Sequence, residues 1–195
     1  MSQNQFLITY FITLLWLGTS AEAVQAAEAA RKPTANLKGA EAAQKHIVAA
    51  ADKLLNAEAL SVTLKKQLPP SKDAHDYQSI GIYEWPDPSS PSRPWIKKDG
   101  QINASLAQIA PDAKNLSTTL ENVSTLALAF QVMRNECHAQ KAAELLRVWF
   151  LDPKTRMNPN MKYAQGSPNK EDGTKYGLIE LARLPLLLDS IRFLE

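Results

Sequence analysis

The chain has 195 residues, 45% of them hydrophobic and 22% charged, a balance typical of one globular domain rather than of a disordered chain. Its formal net charge of +2, without a long run of Lys or Arg, argues against a nucleic-acid-binding protein. The single cysteine, Cys137, excludes an intrachain disulfide, and we expect it to be buried and not redox-active. The three histidines and Cys137 are scattered, so we predict no metal site and no cofactor.

The N-terminus predicts an export signal. Residues 6–18 (FLITYFITLLWLG) form an uncharged apolar core, and Ala21 and Ala23 supply the small residues that signal peptidase requires. The core is short for a membrane span, although an uncleaved anchor is the alternative. We therefore expect an exported protein, periplasmic or secreted, with no stable membrane span after cleavage. The predicted divisions are a signal peptide (1–23), a flexible lead-in (24–38) and one domain (39–195).

Apolar residues at helical spacing predict an all-α domain with long polar loops. The predicted helices span residues 39–60, 112–134, 137–150 and 174–195. Pro185 either kinks the last helix or marks its start. His46 and His138 are predicted to be exposed surface residues. The sequence shows no convincing strand alternation and no glycine-rich phosphate loop.

A long segment over residues 73–100 has no helical period and is rich in aromatic and polar residues. Long loops inside a small domain are usually functional or disordered, and the aromatic content argues against disorder. The aromatic rings could stack on sugar rings or could anchor the loop to the helices beneath it. Both alternatives stay open from the sequence; the residues concerned are Tyr77, Tyr83, Trp85 and Trp95.

A second polar loop follows the third predicted helix, which Pro153 and Pro159 prevent from continuing. Within ten positions this loop collects a guanidinium, three amides and a phenol, groups that suit a hydroxylated, anionic ligand. The alternative is a plain connection whose amides bond to their own backbone. The residues are Arg156, Asn158, Asn160, Tyr163 and Gln165.

Several motifs, taken in order, resemble the alginate lyase family. They are YQSIGIYEWPDP (residues 77–88), PWIKKDG (94–100), LALAF (126–130) and AAELLRVWFLDPKTRMNPNMKYAQ (142–165). The likeness in order and spacing extends over about residues 73–195. Several linked motifs are more specific than any one of them.

The resemblance implies an incomplete α/α toroid, in which helical hairpins surround a cleft that holds an acidic polysaccharide such as alginate. It also implies β-elimination on uronate chains. In that reaction a positive or amide group neutralises the C5 carboxylate and stabilises the charge that develops next to it. A base removes the C5 proton, and an acid protonates the leaving O4.

The chain departs from the family pattern in one respect. Family members are typically longer, and their catalytic Asn-His pair lies downstream of the region present here; no Asn-His occurs in this chain. The catalytic base therefore stays unassigned, and Tyr163 is only a weak candidate for a proton donor. A fragment, a degenerate copy or a short binding form would each explain the difference. A partial ring would also expose apolar faces, so we expect the chain to associate or to be poorly soluble.

Three functional hypotheses follow from these features. The first is a polysaccharide lyase, with Arg156 as the partner of the uronate carboxylate because its planar fork suits bidentate binding. The second is a non-catalytic module that binds acidic polysaccharide through the same residues. The third is a helical scaffold without a ligand. The candidate substrate-binding residues are Tyr77, Ser79, Tyr83, Trp85, Arg156, Asn158, Asn160, Tyr163 and Gln165.

Overall fold

A computed structural model describes residues 37–194, and their framework is mainly helical. The α-helices are α1 (Leu37–Leu54), α2 (Leu106–Ile109), α3 (Asp112–Met133), α4 (Glu136–Leu146) and α5 (Leu184–Arg192). Two 3₁₀ segments lie at Val62–Leu64 and Lys175–Leu181, and a π-helical turn lies at Arg147–Leu151. The first turns of α1, residues 37–42, belong to a separate unit, and residues 43–194 form the unit described below. The predicted signal peptide lies outside the described residues.

Four short strands qualify the all-α prediction. They are β1 (Gln78–Ile80), β2 (Glu84–Trp85), β3 (Ile96–Lys97) and β4 (Tyr163–Gly166). β1 pairs in parallel with β4, with an irregular register between the Gln78–Tyr163 and Ile80–Gly166 pairs, and β2 pairs antiparallel with β3. A strand of two to four residues is too short to show the alternation by which strands are recognised in a sequence. The predicted helical framework is confirmed, whereas the all-α prediction holds only in part because of these strands.

The core lies between α3 and the helices that pack on it, α4 and α5. Buried apolar side chains recur along α3 at helical spacing, as predicted, and Trp149 of the π-helical turn is fully buried. The buried members on α3 are Leu116, Leu120, Val123, Leu126, Ala127, Ala129 and Phe130. This apolar layer supports the polar loops described below.

Local signals set the ends of α3 and α4. Arg134 closes α3 in the left-handed conformation, with φ 52°, and its N–H donates to the carbonyl of Phe130. Asn135 then caps α4, because its side chain accepts a hydrogen bond from the N–H of Cys137. The turn between the two helices is therefore as short as predicted, and the pair forms a helical hairpin.

The last predicted helix is divided into two elements. Its first part is the 3₁₀ segment Lys175–Leu181, and the α-helix begins only at Leu184, with Pro185 in its first turn. A proline is tolerated there because the first turn needs no N–H donor. Pro185 therefore marks the start of this helix. α1 also differs from the prediction, since it ends at Leu54 and not at residue 60.

Two predictions of surface exposure have opposite errors. His138 is 1% exposed, and its Nε2 donates to Asp52 Oδ1 on α1 at 2.8 Å, so the expectation of an exposed histidine was wrong. Cys137 is exposed, so the expectation of burial was also wrong; the residue lies in the first turn of α4. His46 is exposed, as predicted.

The C-terminal segment carries a group of exposed apolar side chains. Tyr176, Leu178, Ile179, Leu186 and Leu188 are each 56–70% exposed. This agrees with the expectation of uncovered apolar faces, whereas self-association stays a prediction. Among residues 37–194, no helix is both long and apolar enough to cross a bilayer.

Candidate functional site

The predicted site residues come together where two loops meet on the helical framework. The parallel pairing of β1 and β4 joins the segment around residues 73–85 to the segment around residues 156–166. Backbone contacts dock the second loop on the first: the N–H of Asn158 donates to the carbonyl of His75 at 2.9 Å, and His75 Nδ1 donates to the carbonyl of Arg156 at 2.7 Å. The N–H of Met157 also donates to the carbonyl of Trp149 at 2.8 Å. The loop is thereby fixed to the π-helical turn.

Three of the predicted residues surround one carboxylate that the sequence analysis did not identify, Glu180. The Tyr77 hydroxyl and Ser79 Oγ both donate to Glu180 Oε2 at 2.7 Å, and Gln165 Nε2 donates to Glu180 Oε1 at 2.8 Å. Ser79 Oγ also accepts the N–H of Gln165 at 2.8 Å. We call Tyr77, Ser79, Gln165 and Glu180 the Glu180 cluster.

Glu180 reaches this cluster because the 3₁₀ segment lies very close to β4. A Cβ atom on Gly177 would lie 2.5 Å from the Cβ of Ala164, so only glycine permits this approach. The side chain of Thr174 caps the segment, and the N–H of Thr174 donates to the carbonyl of Ala164 at 2.9 Å. The glycine in the sequence YGLIE (176–180) is the local signal that could have indicated a close packing contact.

Tyr77 anchors its loop and does not provide a stacking surface. Its side chain is fully buried. Burial, followed by the charge and the hydrogen bond of Glu180, raises the pKa of Tyr77 far above that of an ordinary phenol. Tyr77 is therefore unsuited to proton transfer near neutral pH. Of the two alternatives that the sequence left open for Tyr77, the structure supports anchoring.

A second group of polar residues surrounds Asp76. Asn158 Nδ2 donates to Asp76 Oδ1 at 2.8 Å and to Asp73 Oδ2 at 3.0 Å, and Asn160 Nδ2 is 3.2 Å from Asp76 Oδ1. Burial alone would raise the pKa of Asp76, but hydrogen bonds from Asn158, Ser71 and Asn160, together with the charge of Lys162, hold it below its usual value. We call Asp73, Asp76, Asn158 and Asn160 the Asp76 cluster.

Arg156 differs from these engaged side chains. Its side chain is exposed, and within residues 37–194 its guanidinium makes neither a hydrogen bond nor an ion pair. Its backbone is nevertheless held, because the N–H donates to the carbonyl of Asp152 at 2.7 Å and the carbonyl accepts from His75. The loop therefore presents a fixed backbone with an unengaged fork of donors, which suits a carboxylate ligand.

The aromatic residues of the first loop are only partly available. Trp85 is half-buried, its Nε1 donates to the carbonyl of Gln101 at 2.9 Å, and Lys98 Nζ lies 5.0 Å from the centre of its ring. The ammonium covers a ring surface that a sugar would need. Tyr83 is also half-buried and lies next to β2, where its carbonyl accepts the N–H of Lys98 at 2.9 Å. Trp95 is half-buried as well.

Tyr163, the weak candidate for a proton donor, is 4% exposed in β4. Lys162 Nζ lies 5.1 Å from the centre of its ring. Within residues 37–194 its hydroxyl makes no hydrogen bond with another side chain or with the backbone. Tyr163 thus lies in the same strand as Gln165, which belongs to the Glu180 cluster.

A buried ion pair between Lys65 and Asp112 holds the start of β1. Lys65 Nζ lies 3.0 Å from Asp112 Oδ2 and also donates to the carbonyls of Val62, Ala74 and Asp76. Asp112 Oδ2 in turn accepts the N–H of Gln78 at 2.9 Å. Burial raises the pKa of Asp112 to about 6 against the opposing effects of Lys65 and Gln78, and burial lowers the pKa of Lys65. Sequence reasoning missed this ion pair, because Lys65 and Asp112 lie far apart along the chain.

A cavity of about 330 Å³ lies beside β1 and β4 and is bordered by Ser79 and Gly166. Its charged lining residues are Lys72, Glu171 and Asp172, so carboxylates outnumber the ammonium. A lining of this charge disfavours an anionic sugar. Within the described part of the chain, no three His, Cys, Asp or Glu side chains are grouped so that they could hold a metal ion.

Comparison with known proteins places this architecture in a family. A family model described as Alginate lyase matches residues 61–195. Among solved structures, the chain is similar to the crystal structure of an alginate lyase from Bacteroides ovatus at 1.60 Å resolution, with 40% sequence identity and a TM-score of 0.74. The match covers 78% of this chain and 40% of that chain, so this chain spans less than half of that lyase. No curated protein matches the chain. Because the family model matches well over half of its residues, the chain belongs to the alginate lyase family.

Proposed function

We propose that the chain acts in the breakdown of a uronate polysaccharide of the alginate type, as a polysaccharide lyase that cleaves by β-elimination. Membership of the alginate lyase family supports this reaction class. The neighbouring lyase supports the finer fold proposal, in which the helical hairpins are part of an incomplete α/α toroid. We also propose that the protein is exported, to the periplasm or beyond, where such polymers are found.

The observation that carries the proposal is the exposed guanidinium of Arg156 on a fixed loop. A uronate polymer presents one carboxylate per sugar, and a planar guanidinium binds a carboxylate with two parallel hydrogen bonds. The three amides of the loop hold carboxylates of the protein, whereas the guanidinium of Arg156 is unengaged within residues 37–194 and can bind the ligand's charge. In β-elimination, such a contact would stabilise the charge that develops next to C5.

The elimination needs two further groups that the proposal leaves unassigned. A base must take the C5 proton while the C4–O4 bond breaks, a C4–C5 double bond forms and O4 receives a proton. Tyr77 is unsuited to either role because its hydroxyl is committed to Glu180. Tyr163 stays a weak candidate for the acid, since its phenol lies in the same strand as Gln165.

The alternative is a non-catalytic module that binds acidic polysaccharide. It is favoured by the number of site amides that are engaged within the protein. Both functions predict binding, but only a lyase produces an unsaturated uronate, which absorbs in the ultraviolet.

The test is to incubate the purified chain with alginate and to follow ultraviolet absorbance, with calorimetric titration of mannuronate and guluronate oligomers in parallel. Rising absorbance would support the lyase. Binding without rising absorbance would support the module. Neither binding nor turnover would contradict both and would leave the helical scaffold without a ligand. A polygalacturonate oligomer serves as the control for non-specific attraction between a polyanion and a weakly basic protein.

A further inference from the structure

The feature that leads beyond the proposed function is the way Glu180 orients Gln165. The 3₁₀ segment brings the carboxylate of Glu180 against β1 and β4, where it accepts hydrogen bonds from three side chains. Its Oε2 accepts both hydroxyls, and its Oε1 accepts only Gln165 Nε2. Both carboxylate oxygens are therefore engaged by the protein.

Ser79 strengthens this arrangement because its hydroxyl bonds to both Gln165 and Glu180. Ser79 Oγ accepts the N–H of Gln165 at 2.8 Å, so its lone hydrogen is directed to Glu180 Oε2. Ser79 thus connects the backbone of Gln165 to the same carboxylate that binds the Gln165 side chain. The backbone and the side chain of Gln165 are both held in place through the Glu180 cluster.

The polarity of the Gln165 amide follows from simple chemistry. A carboxylate has no hydrogen to donate, so the NH₂ group of Gln165 must face it. The amide oxygen then points away from Glu180, toward Gly81, where it lies 3.8 Å from the position that a Cβ on Gly81 would take. Within the described residues this oxygen has no hydrogen-bond partner, and it is not among the buried atoms that lack one. It is left available to a ligand.

The backbone conformation of Gln165 is uncommon for a residue other than glycine. Gln165 adopts φ 53°, a left-handed conformation in which glycine is the least costly residue. A large amide is present at this position despite that backbone cost. Strained positions of this kind cluster at ligand sites.

We propose that Glu180 is a positioning residue that determines specificity, because it holds Gln165 with its amide oxygen outward as a hydrogen-bond acceptor. This point of the site then recognises a hydroxyl group of the sugar and not its carboxylate. The negative charge of Glu180, one side chain away, acts in the same direction by repelling an anion. The inference rests on the proposed function, since it states which group of the uronate polymer binds at Gln165.

The substitution Glu180→Gln should change the group of the sugar that Gln165 prefers. The new amide keeps the shape of the side chain, and its oxygen can accept the hydroxyls of Tyr77 and Ser79. Its NH₂ group then faces Gln165, whose amide must rotate so that its oxygen points inward and its NH₂ outward. The outward group of Gln165 thereby changes from the amide oxygen, an acceptor, to the NH₂, a donor that can bind a carboxylate.

The ligands for the test are an alginate oligomer and the same oligomer with its carboxylates reduced to neutral alcohols. For Glu180→Gln, we expect the ratio of the two affinities to shift toward the carboxylated oligomer by about tenfold, the size of one exchanged hydrogen bond. Glu144→Gln removes an exposed carboxylate that pairs with Lys141 and should leave the ratio unchanged. An equal weakening of both oligomers by Glu180→Gln would indicate a purely structural role and overturn the proposal.

Gln165→Ala gives a second test that does not depend on how well Glu180→Gln folds. It should weaken binding of both oligomers by a similar factor, because the lost contact is to a hydroxyl that both possess. A loss confined to the carboxylated oligomer would show that Gln165 donates to the carboxylate, which contradicts the proposal.

A ligand-free measurement separates this inference from the proposed function. In ¹⁵N-labelled protein, the side-chain NH₂ of Gln165, assigned by its loss in Gln165→Ala, should exchange with water more slowly than that of the exposed Gln101. Equally fast exchange of the Gln165 and Gln101 side chains would show that Glu180 does not hold the Gln165 amide. If neither oligomer binds the unmodified chain, the proposed function and the hydroxyl specificity both fail, whereas slow exchange would still establish the orientation.

Discussion

The two polar clusters use the same residue types in opposite ways. In the Asp76 cluster, Asn158 Nδ2 donates to both Asp73 and Asp76, so this amide binds the two loops together. In the Glu180 cluster, Gln165 gives one hydrogen bond to the carboxylate, and its oxygen is left over. In the Asp76 cluster, the amide groups of Asn158 and Asn160, which the sequence suggested as ligand donors, bind protein carboxylates. The Glu180 cluster converts an amide into an acceptor of fixed direction.

The position of nearby carboxylates decides which polar side chains can bind a ligand. Asn158, Asn160 and Gln165 look equivalent in the sequence, and each is paired with an acidic residue from elsewhere in the chain. Arg156, on the same loop, has no such partner within residues 37–194. We therefore expect the carboxylates of the polymer to bind at Arg156 and its hydroxyls at Gln165.

The largest expected effect comes from removing a core side chain whose residue also holds the second polar loop. Trp149 is fully buried in the π-helical turn, and its carbonyl accepts the N–H of Met157 at the start of the polar loop. Trp149→Ala should lower the free energy of unfolding by about 3–5 kcal/mol, because it leaves a large cavity in the core. Chemical denaturation followed by circular dichroism measures this change.

Trp149→Phe is the matched control for this prediction. The indole Nε1 is buried and makes no hydrogen bond within the described chain, so replacing the indole with a phenyl ring removes an unsatisfied donor as well as some volume. We expect a clearly smaller loss of stability than for alanine. An unchanged melting temperature in Trp149→Ala would show that the ring does not support the fold.

The sequence predicted the helical framework well, because apolar periodicity reports a local property. The bounds of α3 and α4 agree with the predicted ones at their starts to within one residue, and Trp149 is buried. Periodicity does not reveal the π-helical turn at Arg147–Leu151, in which the N–H of Asp152 donates to the carbonyl of Arg147. It also missed the burial of His138, whose partner Asp52 is 86 residues away.

The sequence indicated which loops carry the polar residues, but it did not indicate how these residues pair, and their role in binding stays a prediction. The sequence singled out both loops and nine polar or aromatic residues, which the structure brings to neighbouring segments. It could not indicate that Tyr77 and Ser79 bind Glu180, because these pairs are separated by 103 and 101 residues. Glu180 was predicted to lie in an ordinary helix, where a glutamate is usually solvated. Hydrogen bonds between residues so far apart leave no signal in the spacing of neighbouring residues.

A smaller effect is expected from the ion pair beneath β1. Burial raises the pKa of Asp112 to about 6, above its unfolded value of 3.8, so between these pH values the folded chain binds a proton more readily than the unfolded chain. The contribution of Asp112 to stability therefore falls as pH rises from about 4 to 6 and is constant above that, a change of roughly 3 kcal/mol at most. Asp76 acts in the opposite sense at lower pH, because its folded pKa is depressed.

Asp112→Asn isolates this contribution. The variant leaves Lys65 without its charged partner and should be less stable than the unmodified chain. The difference in the free energy of unfolding between the two should change between pH 4 and 6 and then level off. Asp99→Asn, which alters an exposed carboxylate, controls for the loss of surface charge. A constant difference for Asp112→Asn across this range would contradict a raised pKa at Asp112.

The smallest expected effect on stability, and the sharpest on binding, comes from Arg156→Ala. The side chain is exposed and has no partner within residues 37–194, so the free energy of unfolding should change by less than about 0.5 kcal/mol. Affinity for an alginate oligomer should fall by about tenfold or more, because hydrogen bonds to a charged group are lost. Lys154→Ala removes an exposed charge from the same loop and should have little effect on either property.

Calorimetry with the carboxyl-reduced oligomer tests whether Arg156 and Gln165 bind different groups of the sugar. If Arg156 binds the carboxylate and Gln165 binds a hydroxyl, Arg156→Ala should leave affinity for the neutral oligomer unchanged, whereas Gln165→Ala should lower it. Equal losses for both oligomers in Arg156→Ala would show that the loop does not divide recognition between its two ends.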